Sequence, residues 1–271
     1  MTQTVSIVRF EAGAPPQARQ DFVAIEAPLE IRVEGEPVAV AMRTPGQDRE
    51  LAAGWLVSEG IVRSPAQIAD IVARPGDETQ PGAMVDVMLR DPAAFDLAKH
   101  RRNVLTHASC GLCGAASIEH VLRSFPKVES DFAVAPEVLA QLPDRLRAAQ
   151  PTFEKTGGVH ACALFDGAGQ MLALREDVGR HNALDKLVGW ALLEDRLPLS
   201  AHVLLLSGRV SLEMVQKALA AGIPMIAAIG APSSLAVELA ARSGQCLAAF
   251  LRGNAWNVYA GLERSRGAGG L

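Results

Sequence analysis

An α/β protein in two parts, a small α+β unit followed by a larger layered α/β unit, is the fold this sequence predicts. Three observations lead there. Residues from about 151 onward alternate short apolar runs with stretches of helical periodicity, the pattern of a mostly buried sheet covered by helices. Residues 26–40 alternate and are rich in Val and Ile around Glu34-Gly35-Glu36, which reads as a hairpin. Between them lie a Gly- and Cys-rich stretch and a polar tract. The expected division is 1–105 for the small domain, 106–150 for a CxxC loop and helical connector, and 151–271 for the α/β domain.

Each element has a local cause. After the hairpin, Thr44-Pro45-Gly46 breaks the chain, and Gln47 or Asp48 can cap a helix in which Leu51, Trp55 and Leu56 share a face. Gly60 ends it. Residues 68–73 and 84–89 read as strands separated by Pro75-Gly76-Asp77. Ile118, Val121, Leu122 and Phe125 recur at helical spacing until Pro126. A polar helical connector follows over about 128–150. Residues 160–165 and 171–174 are paired strands around Asp166-Gly167. Then come a helix over 182–193, a buried strand over 202–206, a helix over 212–221 ended by Gly222, and a buried strand over 224–229. Ser233 or Ser234 caps a helix through 241, and 245–250 is the last strand.

Composition narrows the function classes. Of 271 residues, 49% are hydrophobic and 21% charged, the balance of a soluble globular protein. The net charge of −4 argues against a nucleic-acid or membrane-surface partner. With aromatics at 4%, a stacking platform for single strands is not expected. The longest apolar runs fall far short of the roughly 20 residues of a membrane span, and no signal pattern opens the chain. A cytoplasmic protein is expected.

Such a chain has little use for structural disulfides, so the pair Cys110-Gly111-Leu112-Cys113 reads as chemical. Cys110 is the leading candidate nucleophile. It lies in a Gly-rich loop just before a predicted helix, where backbone N–H groups and the positive helix end favour a thiolate. A thiolate there can attack the outer sulfur of a donor persulfide and become a persulfide itself. Cys113 is near enough to relay or resolve it. Two rival readings stand beside this one. A zinc half-site needs two further ligands, with His107, His120, His160 and Cys162 as candidates but no second CxxC or HxxxH pair. Thioredoxin-like exchange expects its CxxC at a strand end in an early βαβ unit.

Polar clusters mark the α/β half. Thr156-Gly157-Gly158-Val159-His160 suits close approach of a ligand to backbone N–H groups, with His160 binding phosphate or moving a proton; a structural histidine is the alternative. In Arg175-Glu176-Asp177-Val178-Gly179-Arg180-His181-Asn182, between a strand and a helix, Arg180 and His181 can hold phosphate, and Asp177 can orient a histidine or read a guanine edge. A solvated salt-bridge turn is the alternative. Ser207-Gly208-Arg209 has the same placement, where helix N-termini are natural anion sites. Glu213 and Lys217, at i and i+4, read as a helix-face pair. Phe250, Leu251, Arg252, Gly253, Asn254 and Ala255 leave the last core strand, with Arg252 as a phosphate fork and Gly253-Asn254 as a tight turn.

In this order, the EAPLEIRV start, ELAAGWLVSEGIV, SCGLCG, TGGVHACAL, REDVGRHNALDK, SGRVSLEMVQKA, APSSLAVELA and FLRGNAWNVY resemble the formate dehydrogenase accessory sulfurtransferase (FdhD) family, from about Glu26 to Tyr259. The resemblance implies that Cys110 forms a persulfide, that sulfur comes from a cysteine desulfurase, and that it goes to bis-molybdopterin guanine dinucleotide for formate dehydrogenase. It implies a homodimer, a cofactor-binding segment over Phe250 to Ala255, guanosine diphosphate as a mimic of the cofactor, and a cytidine-deaminase-like three-layer C-terminal domain. Deaminase chemistry is not expected, because no HxE followed by PCxxC is present. No metal or resident cofactor is expected.

Overall fold

The computed structural model describes residues 1–76, 82–95 and 114–265. Strands β3 (Ala27–Val33) and β4 (Glu36–Arg43) form the expected hairpin, with β5 (Ile68–Arg74) and β6 (Ala83–Leu89) completing a sheet in the order β4-β3-β6-β5. Glu34 and Gly35 both have positive φ, +54° and +79°, as a two-residue I′ loop demands. One face of this sheet (Leu29, Ile31, Val85, Val87) is buried with Leu51 and Leu56 of α1 (Asp48–Ser58).

The larger sheet has the order β12-β11-β10-β9-β7-β8. Its members are β7 (His160–Phe165), β8 (Met171–Asp177), β9 (Val203–Leu206), β10 (Met225–Ala228), β11 (Cys246–Arg252) and β12 (Ala255–Ala260). Strands β9, β10 and β11 are parallel, while β7 runs antiparallel to β9. Period-2 alternation splits the side chains cleanly. Leu164, Leu204, Leu206, Ile226 and Ala228 enter the core shared with α5 (Arg180–Leu193), α6 (Leu212–Ala220) and α7 (Ser234–Ser243). Ala163, Phe165, Val203, Leu205, Met225 and Ala227 enter a second core on the other face.

That second core corrects the expected polar connector. Residues 136–148 are helical, as α3 (Pro136–Ala148), yet Leu139, Leu142 and Leu146 are fully buried and close the second face of the sheet. Each such burial contributes about 1.5–3 kcal/mol, so α3 is a structural layer. It follows α2 (Gly114–Ser124) and precedes the short α4 (Pro151–Thr156).

The two sheets are joined through one core. Helix α1 crosses α5 with Gly54 against Gly189, so closely that a Cβ on Gly54 would stand 1.8 Å from the Asp185 carbonyl oxygen, and one on Gly189 1.8 Å from that of Glu50. Arg175 Nη2 donates to Glu50 Oε1 at 2.8 Å beside the crossing. A two-stranded ribbon, β1 (Thr2–Arg9) with β2 (Gln17–Ala24), stands apart from both sheets.

Candidate functional site: a cationic sheet edge

Parallel order brings the C-terminal ends of β9, β10 and β11 to one edge of the large sheet, and the antiparallel β7 brings its first residue, His160, to the same edge. The outgoing loops press together there. A Cβ on Gly230, after β10, would lie 2.5 Å from Gly208 O, and one on Gly208, after β9, would lie 3.1 Å from His160 Nδ1. At Gly230 only a glycine permits this approach, and at Gly208 a side chain would crowd the His160 ring. Backbone bonds hold the loops in place: Val210 N to Ala231 O at 3.0 Å and Ser233 N to Val210 O at 2.9 Å. Phe250 N reaches Gly230 O at 3.4 Å, so the segment leaving β11 joins the row.

Three cationic or titratable groups gather on this edge. Burial first, then the positive charges of Arg180 and Arg209, hold the His160 imidazole below its usual range. His160 is therefore neutral at pH 7, and two guanidinium groups lie within electrostatic reach of it. Arg209 is exposed, whereas Arg180 is half-buried, and its Nε is buried without a hydrogen-bond partner. A buried guanidinium N–H left unsatisfied is costly, and an acceptor supplied from outside would satisfy it. Arg180 is the first residue of α5, whose Gly179 cap offers no side-chain acceptor, and Ser211 does not cap α6 with its side chain either. Two helix N-termini thus add their polarity to the same edge. The arrangement suits an anion with several acceptor oxygens.

The other expected site residues divide. Ser207 is held to β7 on both sides: its Oγ accepts from Ala161 N at 2.8 Å, and its own N donates to Ala161 O at 3.0 Å. Leu251 is buried, while Arg252, Gly253, Asn254 and Ala255 are exposed in the β11–β12 hairpin, with Gly253 at φ +55°. Phe250 has a positive φ of +58°, a strained value for a non-glycine residue, and stays 37% exposed at the bulge in that hairpin. His181 turns elsewhere. It lines a cleft of about 490 Å³ between the first sheet and helices α1, α5 and α6, together with Met42, Trp55, Asn182 and Lys217. Its Nε2 lies 3.4 Å from Ser211 Oγ. Burial, and then Lys217 and Arg180, lower its pKa to about 4. Cys110 and Cys113 lie outside the described residues.

Asp177 neither orients a histidine nor faces a ligand. It is fully buried and pairs with Lys186 Nζ at 2.7 Å. It also accepts from Thr44 N at 3.1 Å, Gly179 N at 2.8 Å and Asn182 Nδ2 at 3.0 Å. Lys186 Nζ donates in turn to Thr44 O at 2.8 Å. The polar turn is thus a latch onto the first sheet and not a solvated surface. Likewise, Lys217 bonds both oxygens of Asp185 at 2.8 Å, and Ser58 Oγ donates to Asp185 at 2.7 Å. Lys217 thus has a buried partner on α5 as well as its place on its own helix face. The orphan Nε of Arg180 was beyond sequence reasoning, although Arg180 itself stood out.

Two other cysteines are described, Cys162 and Cys246. Burial pushes the Cys162 thiol far up and Cys246 up to about 12, so neither is a reactive thiolate.

Residues 24–266 match the model of the FdhD/NarQ family. The chain is 49% identical over 270 residues to the sulfur carrier protein FdhD of Streptomyces coelicolor, covering 97% of this chain and 95% of that protein. It is 48% identical over 254 residues to the protein of the same description from Mycobacterium tuberculosis, covering 91% and 92%. A solved structure of a formate dehydrogenase accessory protein from Desulfotalea psychrophila superposes with a TM-score of 0.77 at 26% identity, covering 97% of this chain and 99% of that one.

Proposed function

Since the chain belongs to the FdhD/NarQ family, we propose that it carries sulfur as a persulfide on Cys110, from a cysteine desulfurase to bis-molybdopterin guanine dinucleotide, for formate dehydrogenase. The cofactor is cargo and not a resident group. In the loading step the Cys110 thiolate attacks the outer sulfur of the donor's persulfide, the S–S bond breaks, and the donor leaves as a thiolate. Cys113 relays or resolves the sulfur. The observation that supports this cargo is the cationic edge: the orphaned Nε of Arg180, with Arg209 and the neutral His160, beside loops that glycines let pack closely together.

Phosphate oxygens of the dinucleotide would meet Arg180 and Arg209, with Ser207 and Arg252 close along the same edge. Phe250 offers an exposed ring beside them for a planar base. Charge-assisted contacts of this kind contribute about 1.5–3 kcal/mol each. This work is set in the cytoplasm, where a desulfurase donor is met. Among the described residues, no helix is long and apolar enough to cross a membrane.

The test has two arms. After incubation with desulfurase and cysteine, peptide mass analysis should find one added sulfur on Cys110, and Cys110→Ala should yield inactive formate dehydrogenase. Active, sulfurated enzyme from Cys110→Ala would refute the carrier role. In calorimetry, guanosine diphosphate should bind a variant lacking both loop cysteines as well as it binds the parent. Loss of binding in that variant would separate the phosphate site from the edge described here.

A further inference from the structure

The proposed function makes no use of the cleft beside His181. Its volume of about 490 Å³ falls within the range of small-molecule sites, about 300–1,000 Å³. Its two walls differ in kind. Ala39, Ala41 and Met42 of β4 and Trp55 of α1 make one wall apolar, while His181 and Asn182 of α5 and Gln216 of α6 make the other polar. The polar wall has unused capacity. Asn182 Nδ2 donates to Met42 O at 2.7 Å and to Asp177 Oδ1 at 3.0 Å, which leaves Oδ1 as an acceptor. Gln216 Nε2 donates to Ser58 O at 3.3 Å, which leaves its Oε1 likewise. The His181 imidazole, neutral at pH 7, offers one donor and one acceptor, and among the described residues its Nδ1 has no hydrogen-bond partner. Three carboxylates, of Glu59, Asp185 and Glu213, line the cleft beside the single ammonium of Lys217, which disfavours an anion. The cleft therefore suits what the cationic edge does not: an uncharged flat ring with apolar faces and a polar rim.

Cleft and edge are continuous. Arg180 and His181 are consecutive residues in the first turn of α5, and Arg209 is followed closely by Ser211, whose Oγ lies 3.4 Å from His181 Nε2. Phe250 marks the other end of the edge, because β11 stands three strand spacings from β7, about 14 Å. A pyrophosphate held by Arg180 and Arg209 thus has an exposed aromatic ring on one side and the cleft on the other. A pterin guanine dinucleotide is built in the same order, with the pyrophosphate in the middle, guanosine at one end and the pterin at the other. Its two bicyclic rings share an amino-oxo-pyrimidine rim, so either ring could satisfy the polar wall chemically, and the order along the edge assigns guanine to Phe250.

We propose that this cleft is a pterin pocket, with the ring laid against Trp55 and its polar rim on His181, Asn182 and Gln216. The inference rests on the dinucleotide cargo proposed above and states where its second ring goes.

Hydroxymethylpterin, which is fluorescent and carries no phosphate, tests it on the full-length protein. Its emission should be quenched saturably by contact with an indole, both without and with saturating guanosine diphosphate, since the two probes occupy different ends of the site. Guanosine should not displace it. Trp55→Leu should weaken pterin binding by about tenfold or more, the equivalent of one lost stacking contact, and Trp55→Phe should retain most of it. Trp55 packs against the core, so a second variant guards against misfolding: Ala39→Leu deletes no contact and fills the cleft, and it should abolish pterin binding while leaving affinity for guanosine diphosphate within about twofold. Absence of saturable quenching, displacement by guanosine or by guanosine diphosphate, or pterin binding indifferent to both Trp55→Leu and Ala39→Leu would each overturn the proposal. If the pterin fails to bind while Cys110 still accepts sulfur and guanosine diphosphate still binds, only the pocket is lost. If Cys110 takes no sulfur while the pterin binds as described, the carrier reading falls and the pocket stands.

Discussion

Residues 177–186 dispose of charge in two opposite ways within three helical turns. On the side facing the first sheet, Asp177 and Lys186 are wholly removed from water, and every contact described for them closes a network with Thr44, Gly179 and Asn182. On the side facing the large sheet's edge, Arg180 keeps a buried Nε with no partner, and Arg209 stands exposed near it. A buried pair left half-complete is expensive, whereas a completed one is close to neutral. The first region therefore acts as a fastener between the sheets. The second holds an unmet demand for an acceptor, which a ligand can fill. The difference separates structure from function inside one polar motif.

The largest effect should come from breaking the fastener. Lys186→Met leaves the Asp177 carboxylate buried without its cation, and we expect a loss of about 3–5 kcal/mol, read as a fall in the urea midpoint. Pairing it with Asp177→Asn should recover much of that loss, because the uncompensated charge is then gone. A Lys186→Met protein as stable as the parent would show that the network does not bind the sheets together. Next in size is the glycine crossing under the fastener. Gly189→Ala thrusts a methyl group to 1.8 Å from the Glu50 carbonyl oxygen, so α1 must retreat, at a cost of about 3 kcal/mol, the upper part of the overpacking range.

How much of this was legible in the sequence follows from the kind of signal involved. The buried strands and the helices packed on both sheets were readable because their apolar period is set by burial on known faces; the hairpin at Glu34-Gly35 and the cap at Ser233, whose Oγ accepts from Ala236 N, are local chemistry. Strands β1, β2 and β12 were missed because mostly exposed strands show weak apolar alternation or none. Helix α3 read as a polar connector because Leu139, Leu142 and Leu146 are a thin stripe among charged neighbours. At the site, the polar turns were visible as separate motifs, and the fold brings His160, Arg180 and Arg209 of three of them to one edge. Which residues of a motif turn inward was not visible. Asp177 and Lys217 found partners 133 and 32 residues away, and no local pattern encodes such a contact.

His181 tests the boundary between the two regions, since it leaves the cationic edge for the cleft. Its pKa is lowered from 6.5 to about 4, by burial first and then by Lys217 and Arg180. The folded chain resists protonation there, while the unfolded chain takes up a proton near the ordinary value. Stability is therefore unaffected above pH 6.5 and is lost as pH falls from 6.5 toward 4. The contribution is about 2–3 kcal/mol across that window. Urea titrations over this range should show a shallower fall in His181→Gln than in the parent. Parallel falls would place the imidazole in solvent.

The smallest effect on stability should come from Arg180, and it discriminates best between fastener and site. Arg180→Met removes a buried Nε that has nothing to bond, so the fold loses no completed interaction and sheds a desolvation cost. Its urea midpoint should match the parent's within about 0.5 kcal/mol, the usual bound for a side chain outside any network. Binding of guanosine diphosphate should weaken by about 10- to 100-fold, the equivalent of one charge-assisted contact. Lys186→Met should give the reverse result, with a large stability loss and nucleotide affinity retained wherever the protein stays folded. If Arg180→Met instead unfolds like Lys186→Met, its guanidinium is a structural member of the network, and the edge loses the residue that most distinguishes it as a site.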